Sequence, residues 1–184
     1  MFVLFTLLII TGGCGRAKDE SAKSQPPAQT TGATTEQVTT ATTKNETDIP
    51  ASSADPRKGM AAKISDFSYD LDGDGTDETV ELHTQAERSS DGNIAWDDGQ
   101  SWLLVVVNGD NYYPLLNQFV QLGRVYFSVW SNDNNKANIT AAVITGSGVN
   151  LRNYTYNGDT NSFASQELFD IGGMNVLFSS MPDY

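Results

Sequence analysis

The sequence predicts an all-β fold, an antiparallel meander of about eight strands arranged as two propeller-blade-like units packed as an open sandwich. Three observations carry this reading. From Lys58 to Tyr184, short runs rich in β-branched and aromatic residues follow one another, separated by Asn-Gly, Gly-Asp and Asp-Asn clusters, which are turn chemistry. One run, Thr79-Val80-Glu81-Leu82-His83, alternates with the period of two of a half-covered strand, sending Val80 and Leu82 inward and Glu81 and His83 toward solvent. A faint repeat appears at a shift of 61 residues, which lays Tyr69–Val80 over Trp130–Ala141. Such periods belong to architectures whose unit is one small antiparallel sheet; two units cannot close a ring of typically about four to eight blades, but they can pack face to face.

Residues 1–13 are uncharged and mostly apolar, with the run Phe2–Ile10 followed by Thr11-Gly12-Gly13 and then Cys14. The run is too short to cross about 30 Å of hydrocarbon as a helix, and small residues before a cleavage point mark an export signal. Cys14 is the only cysteine, so no intramolecular disulfide can form. The segment Ile10-Thr11-Gly12-Gly13-Cys14 resembles a bacterial lipobox, which implies acylation of Cys14 and a protein anchored by lipid on the outer face of the cell membrane. Residues 14–57 are dominated by Thr, Ser, Ala, Gln and Lys with few large apolar side chains. Such a segment cannot bury enough surface to offset its conformational entropy and reads as a tether, with a random-coil span of roughly 36 Å.

Residues 58–184 are enough for one domain with a single core. Strands are expected over Lys63–Tyr69, Thr79–Thr84, Trp102–Asn108, Tyr112–Leu116, Arg124–Trp130, Ile139–Thr145, Asn150–Asn157 and Phe163–Phe169. Trp102–Val107 is apolar on both faces and should be central and doubly covered. Asn108-Gly109 and Asn157-Gly158 sit where two-residue hairpin turns would close. Leu115–Leu122 is the one stretch suited to a short helical turn. Core packing accounts for Trp102, Trp130 and Tyr154.

The chemistry concentrates in Asp70-Leu71-Asp72-Gly73-Asp74-Gly75-Thr76-Asp77-Glu78. Alternate carboxylates around two glycines let a short loop wrap oxygen ligands around one hard cation, and the cation this spacing suits is Ca2+, which takes about six to eight oxygens. Asp70, Asp72 and Asp74 supply the first, third and fifth positions, the Thr76 carbonyl the seventh and Glu78 the ninth. In the second copy, Ser131-Asn132-Asp133-Asn134-Asn135-Lys136 retains one acid and has a lysine in place of the sixth-position glycine, so it should be a bare turn.

This loop resembles that of the FG-GAP and VCBS-type repeat family, whose blades carry a D-x-D-x-D-G-x-x-D calcium loop leading into a strand. The resemblance covers about Ile64–Leu82 and implies the same ligand set, Asp70, Asp72, Asp74, Thr76 and Glu78. The residues also satisfy an EF-hand expression with Glu81 at the twelfth position, which would make the protein a calcium sensor. That reading requires amphipathic helices on both sides, whereas the flanking segments have period two.

From Lys58 to Tyr184 there are six Lys and Arg against seventeen Asp and Glu, within a formal net charge of −12 for the chain. A surface of that sign repels phosphates, so nucleic acid is excluded as a partner class. His83, the only histidine, reads as a solvated strand residue rather than a base. No G-x-S-x-G, H-E-x-x-H or phosphate-cradling loop occurs, so a cell-wall or polysaccharide hydrolase is the less favoured reading. The favoured one is a binding or assembly module for a glycan or protein ligand. Trp96, in the long polar segment Gln85–Gln100, is the candidate ligand contact, with folding back onto the sheet as the equal alternative.

Overall fold

A computed structural model describes residues 44–175, 177, 178 and 180. The export signal, Cys14 and residues 15–43 of the expected tether lie outside them. Nine strands are present: β1 (Lys44–Pro50), β2 (Ala62–Tyr69), β3 (Glu78–Thr84), β4 (Gly99–Asn108), β5 (Asn111–Gln121), β6 (Gly123–Ser131), β7 (Ala137–Thr145), β8 (Gly148–Asn157) and β9 (Ser162–Gly172). All pair antiparallel in two sheets, ordered β2-β3-β4-β5 and β1-β9-β8-β7-β6. The chain thus lays down two four-stranded meanders, β2–β5 and β6–β9, packed as a sandwich that does not close into a barrel. The acidic turn between β2 and β3 has its counterpart, by order in the meander, in the turn between β6 and β7.

Every strand expected from the sequence is present, and one more besides. Lys44–Pro50, expected within the tether, is β1 and pairs with β9 from Lys44↔Glu167 to Pro50↔Ser162. Its own composition carries no strand signal; the exposed edge of β9 supplies the hydrogen-bonding template. The helical turn expected over Leu115–Leu122 is β5 instead. Leu104 pairs with Leu116 and Val105 with Pro114, so Leu115 is the extra residue of a β-bulge. The bulge lets Leu115 and Leu116 both be buried, an i,i+1 pattern that imitates a helix. The turn at Asn108 has the expected two residues, with Gly109 at φ +55°, whereas Asn157 pairs with Ser162 across four residues and Asn161 takes the left-handed conformation at φ +48°.

The core lies between the sheets, with Val80, Leu82, Trp102, Leu104 and Val106 from one and Val125, Ile139, Ala141 and Tyr154 from the other. The outer face of β4 is covered as well, and Leu103 and Val105 are fully buried. Their cover is the connection from β1 to β2. Ser52 bridges to Tyr112 at the edge strand β5, and Ala61 N–H donates to Thr84 on β3. Between them, Arg57 donates to Glu81 on β3 at 3.0 Å and to the Tyr112 hydroxyl at 3.3 Å, so this strap crosses β4.

The strap corrects the expectation that Glu81 and His83 face solvent. His83 is buried, and its Nε2–H donates to Glu81 Oε2 at 2.9 Å. Alternation placed both on the outer face correctly, but a segment distant in sequence covers that face. Burial raises the Glu81 carboxyl, yet the hydrogen bonds from His83 and Arg57 outweigh it and hold the group below its ordinary 4.5. Asp55, hydrogen-bonded to the same Arg57, is lowered to about 2. A depressed carboxylate adds stability above its unfolded value and loses it as pH falls through the folded one. Urea midpoints between about pH 6 and pH 3 should therefore fall less steeply for Glu81→Gln than for the wild type. Parallel curves would show that Glu81 contributes nothing to acid sensitivity.

Candidate metal site

Residues 70–77 form the connection from β2 to β3, with Gly73 at φ +83° and Gly75 at φ +91°. These left-handed positions are why the loop needs glycine: a β-carbon there would be strained. The acids then organise the turn. Asp70 accepts from the N–H of Gly73 at 2.8 Å and of Gly75 at 3.1 Å, and Asp72 accepts from Asp74 N–H at 3.0 Å. No helix flanks the loop among the described residues, so the EF-hand arrangement is not formed.

The structure brings three of the five expected ligand residues together. Asp70, Asp72 and Glu78 each present a carboxylate oxygen within 4.8 Å of the others. Glu78 is the first residue of β3 and only 2% exposed. Its Oε2 accepts from Leu71 N–H at 2.8 Å, while its Oε1 has no hydrogen-bond partner among the described residues. Burial, reinforced by the charges of Asp72 and Asp74, raises the Glu78 carboxyl above its ordinary range. A buried carboxylate with one oxygen unpaired, beside two more acids, is an arrangement that a cation would stabilise. Donors that are all oxygen suit a hard ion rather than a thiophilic one.

Asp74 stands apart from the three. It is exposed and accepts from Thr76 N–H at 2.7 Å, and Thr76 is exposed as well. One partner was not visible in the sequence: Asn108, at the end of β4, donates from Nδ2 to Asp72 at 3.3 Å. The sequence marks Asn108 only as turn chemistry, and its place beside the acidic loop follows from the register of the sheet.

The turn Asn132–Lys136 is held by its own amide groups, with Asn134 N–H and Lys136 N–H both donating to Asn132 Oδ1. It nonetheless faces the acidic loop. Asp70, Asp72, Asn135, Lys136, Tyr69 and Tyr156 line one cleft of about 440 Å³.

Of the aromatic expectations, one of the two alternatives for Trp96 is observed and that for Trp130 changes. Trp96 folds back, stacking on Trp102 with centroids 5.5 Å apart, and the Arg124 guanidinium lies 4.1 Å from its ring centre. Trp96 is thus partly buried against the core. Trp130, expected in the core, is 45% exposed on the outer face of its sheet, its N–H bonded to Thr140 on β7 at 3.0 Å.

No family model, curated protein or solved structure matches this chain.

Proposed function

We propose that this protein is a calcium-stabilised binding module, carried on a bacterial cell surface by a lipid on Cys14 and related to the FG-GAP and VCBS-type repeats. The observation that supports the metal reading is Glu78, buried at the root of the loop with one carboxylate oxygen unpaired and with Asp70 and Asp72 beside it. Calcium accommodates irregular oxygen sets and takes more ligands than three carboxylates supply, leaving positions for Asp74, the Thr76 carbonyl, water or a bound ligand. Extracellular sites of this kind bind at about 10⁻⁴ to 10⁻³ M. The ion's role is to neutralise the loop and fix the register at which β3 begins, which keeps the adjoining clefts in shape.

Titrating the full chain with calcium and then with EGTA, followed by thermal unfolding and near-UV circular dichroism, tests this. The melting temperature should rise with calcium and return with the chelator. An unchanged melt and spectrum across the titration would remove the metal from the reading. The lipid is tested separately: Cys14→Ser should release the protein from the membrane fraction, and continued membrane retention would count against the anchor.

A further inference from the structure

The second copy of the acidic turn has lost its ligands and gained a cation. At the shift of 61 residues, Lys136 stands where Gly75 stands in the loop, and Lys136 lines the same cleft of about 440 Å³ as Asp70 and Asp72. Its backbone is fixed there. The Lys136 N–H donates to Asn132 Oδ1 at 3.0 Å, and its carbonyl accepts from Asn132 N–H at 3.1 Å and from Asn138 Nδ2 at 3.0 Å. The next residue, Ala137, is buried in the core, so the turn cannot swing away from the cleft without lifting the start of β7. Beyond that root the side chain is exposed and, among the described residues, forms no ion pair. The ammonium therefore stands near the acids without neutralising any one of them by contact. Among the described residues it is the one charged group that the turn contributes to the cleft.

A charge in that position acts at a distance. Groups lining a cleft of this size are on the order of 10 Å apart, well within the roughly 30 Å over which charges act at about 0.01 M salt. Without a metal, Lys136 offsets part of the repulsion among Asp70, Asp72 and Glu78; with a divalent cation among them, it repels that cation. Both effects weaken metal binding, because the ammonium stabilises the empty loop and destabilises the filled one. We propose that Lys136 is a built-in counter-charge that holds down the calcium affinity of the loop, so that occupancy follows the calcium of the surroundings rather than saturating. This control of affinity rests on the metal reading above; the action of Lys136 on the empty loop does not.

Calcium titration of the full chain and of Lys136→Gln, at low and at high salt, is the test. Tb3+ luminescence sensitised by Tyr69 and Tyr156, which line the cleft, and its displacement by calcium give the dissociation constants. At about 0.01 M salt Lys136→Gln should bind calcium about threefold more tightly than the wild type, and at about 1 M, where charges act over only about 3 Å, the difference should vanish. Lys136→Arg keeps the charge and should bind as the wild type does. Lys63→Gln removes the same charge near the other end of β2, roughly 20 Å along the strand from Asp70, and should change the affinity by no more than about 1.5-fold. In EGTA at low salt, Lys136→Gln should melt about 2 °C below the wild type, because the empty loop loses its counter-charge. Equal calcium affinities for the wild type and Lys136→Gln, a gain shared by Lys136→Arg or Lys63→Gln, or a gain that persists at high salt would overturn the proposal and leave the metal reading intact. An absence of metal signal from wild type and variant alike would sink the metal reading and the control of affinity together, while a lower melt for Lys136→Gln in EGTA would still show the counter-charge acting on the loop.

Discussion

Gly123→Ala is expected to lower stability by about 2 to 3 kcal/mol and the melting temperature by roughly 10 °C. Gly123 opens β6 at the corner where the chain leaves one sheet for the other, with only Leu122 between it and the end of β5 at Gln121. A β-carbon there would lie 2.5 Å from the Ile144 carbonyl oxygen and 2.8 Å from both Thr145 Cγ2 and Val120 Cγ1. The first is backbone of β7, paired with β6 through Arg124↔Ile144, and cannot withdraw without breaking that ladder. The corner is further tied by Leu122 N–H to Asp98 at 2.6 Å and Gly146 N–H to Leu122 at 3.2 Å. Gly146→Ala is the control, because nothing lies within 4 Å of a β-carbon there; it should change stability by less than about 0.5 kcal/mol. Equal melts for the two variants would mean that the corner relaxes freely.

What the sequence made legible was local. Eight strands and most of their turns followed from alternation and turn residues, because each depends on neighbours within a few positions. The acidic loop was legible for the same reason: its glycines and carboxylates act on one another along a single turn. The failures share the opposite cause. Leu115-Leu116 and Phe119-Val120 imitate helical spacing, and only the partner strand β4 shows that a bulge shifts the phase. Glu81 and His83 are covered by a strap from residues 51–61, a contact that no period of two can reveal. Trp130 is exposed where a core place is expected, because an aromatic residue satisfies either setting in a pattern; for Trp96 the tertiary neighbours Trp102 and Arg124 decide between the two. Within the site, the spacing named the acids but not their ranking. Asp70, Asp72 and Glu78 converge, while Asp74 turns its carboxylate to Thr76.

That ranking sets up the strongest test of the metal reading. In calcium at about a hundred times the dissociation constant, the wild type should gain about 2.7 kcal/mol and melt roughly 10 °C higher than in EGTA. Glu78→Gln should abolish this gain without weakening the metal-free protein. The glutamine carbonyl can still accept the Leu71 N–H that now reaches Oε2, so the local fold keeps its hydrogen bond. What the variant removes is a buried charge. A carboxylate whose folded value is raised, as Glu78's is by burial, contributes stability below its unfolded value and loses it as pH climbs through the folded one. At neutral pH the metal-free wild type therefore carries a penalty that Glu78→Gln lacks, and the variant should melt at the same temperature or higher in EGTA. Bound calcium cancels that penalty only in the wild type, so the two melting curves should change order when calcium replaces the chelator. Asp77→Asn, an exposed loop acid outside the cluster, should keep the full calcium shift. If Glu78→Gln retained the shift and Asp77→Asn lost it, the ion would sit on the loop's outer rim rather than at the buried root of β3, and calcium would have no hold on how that strand begins.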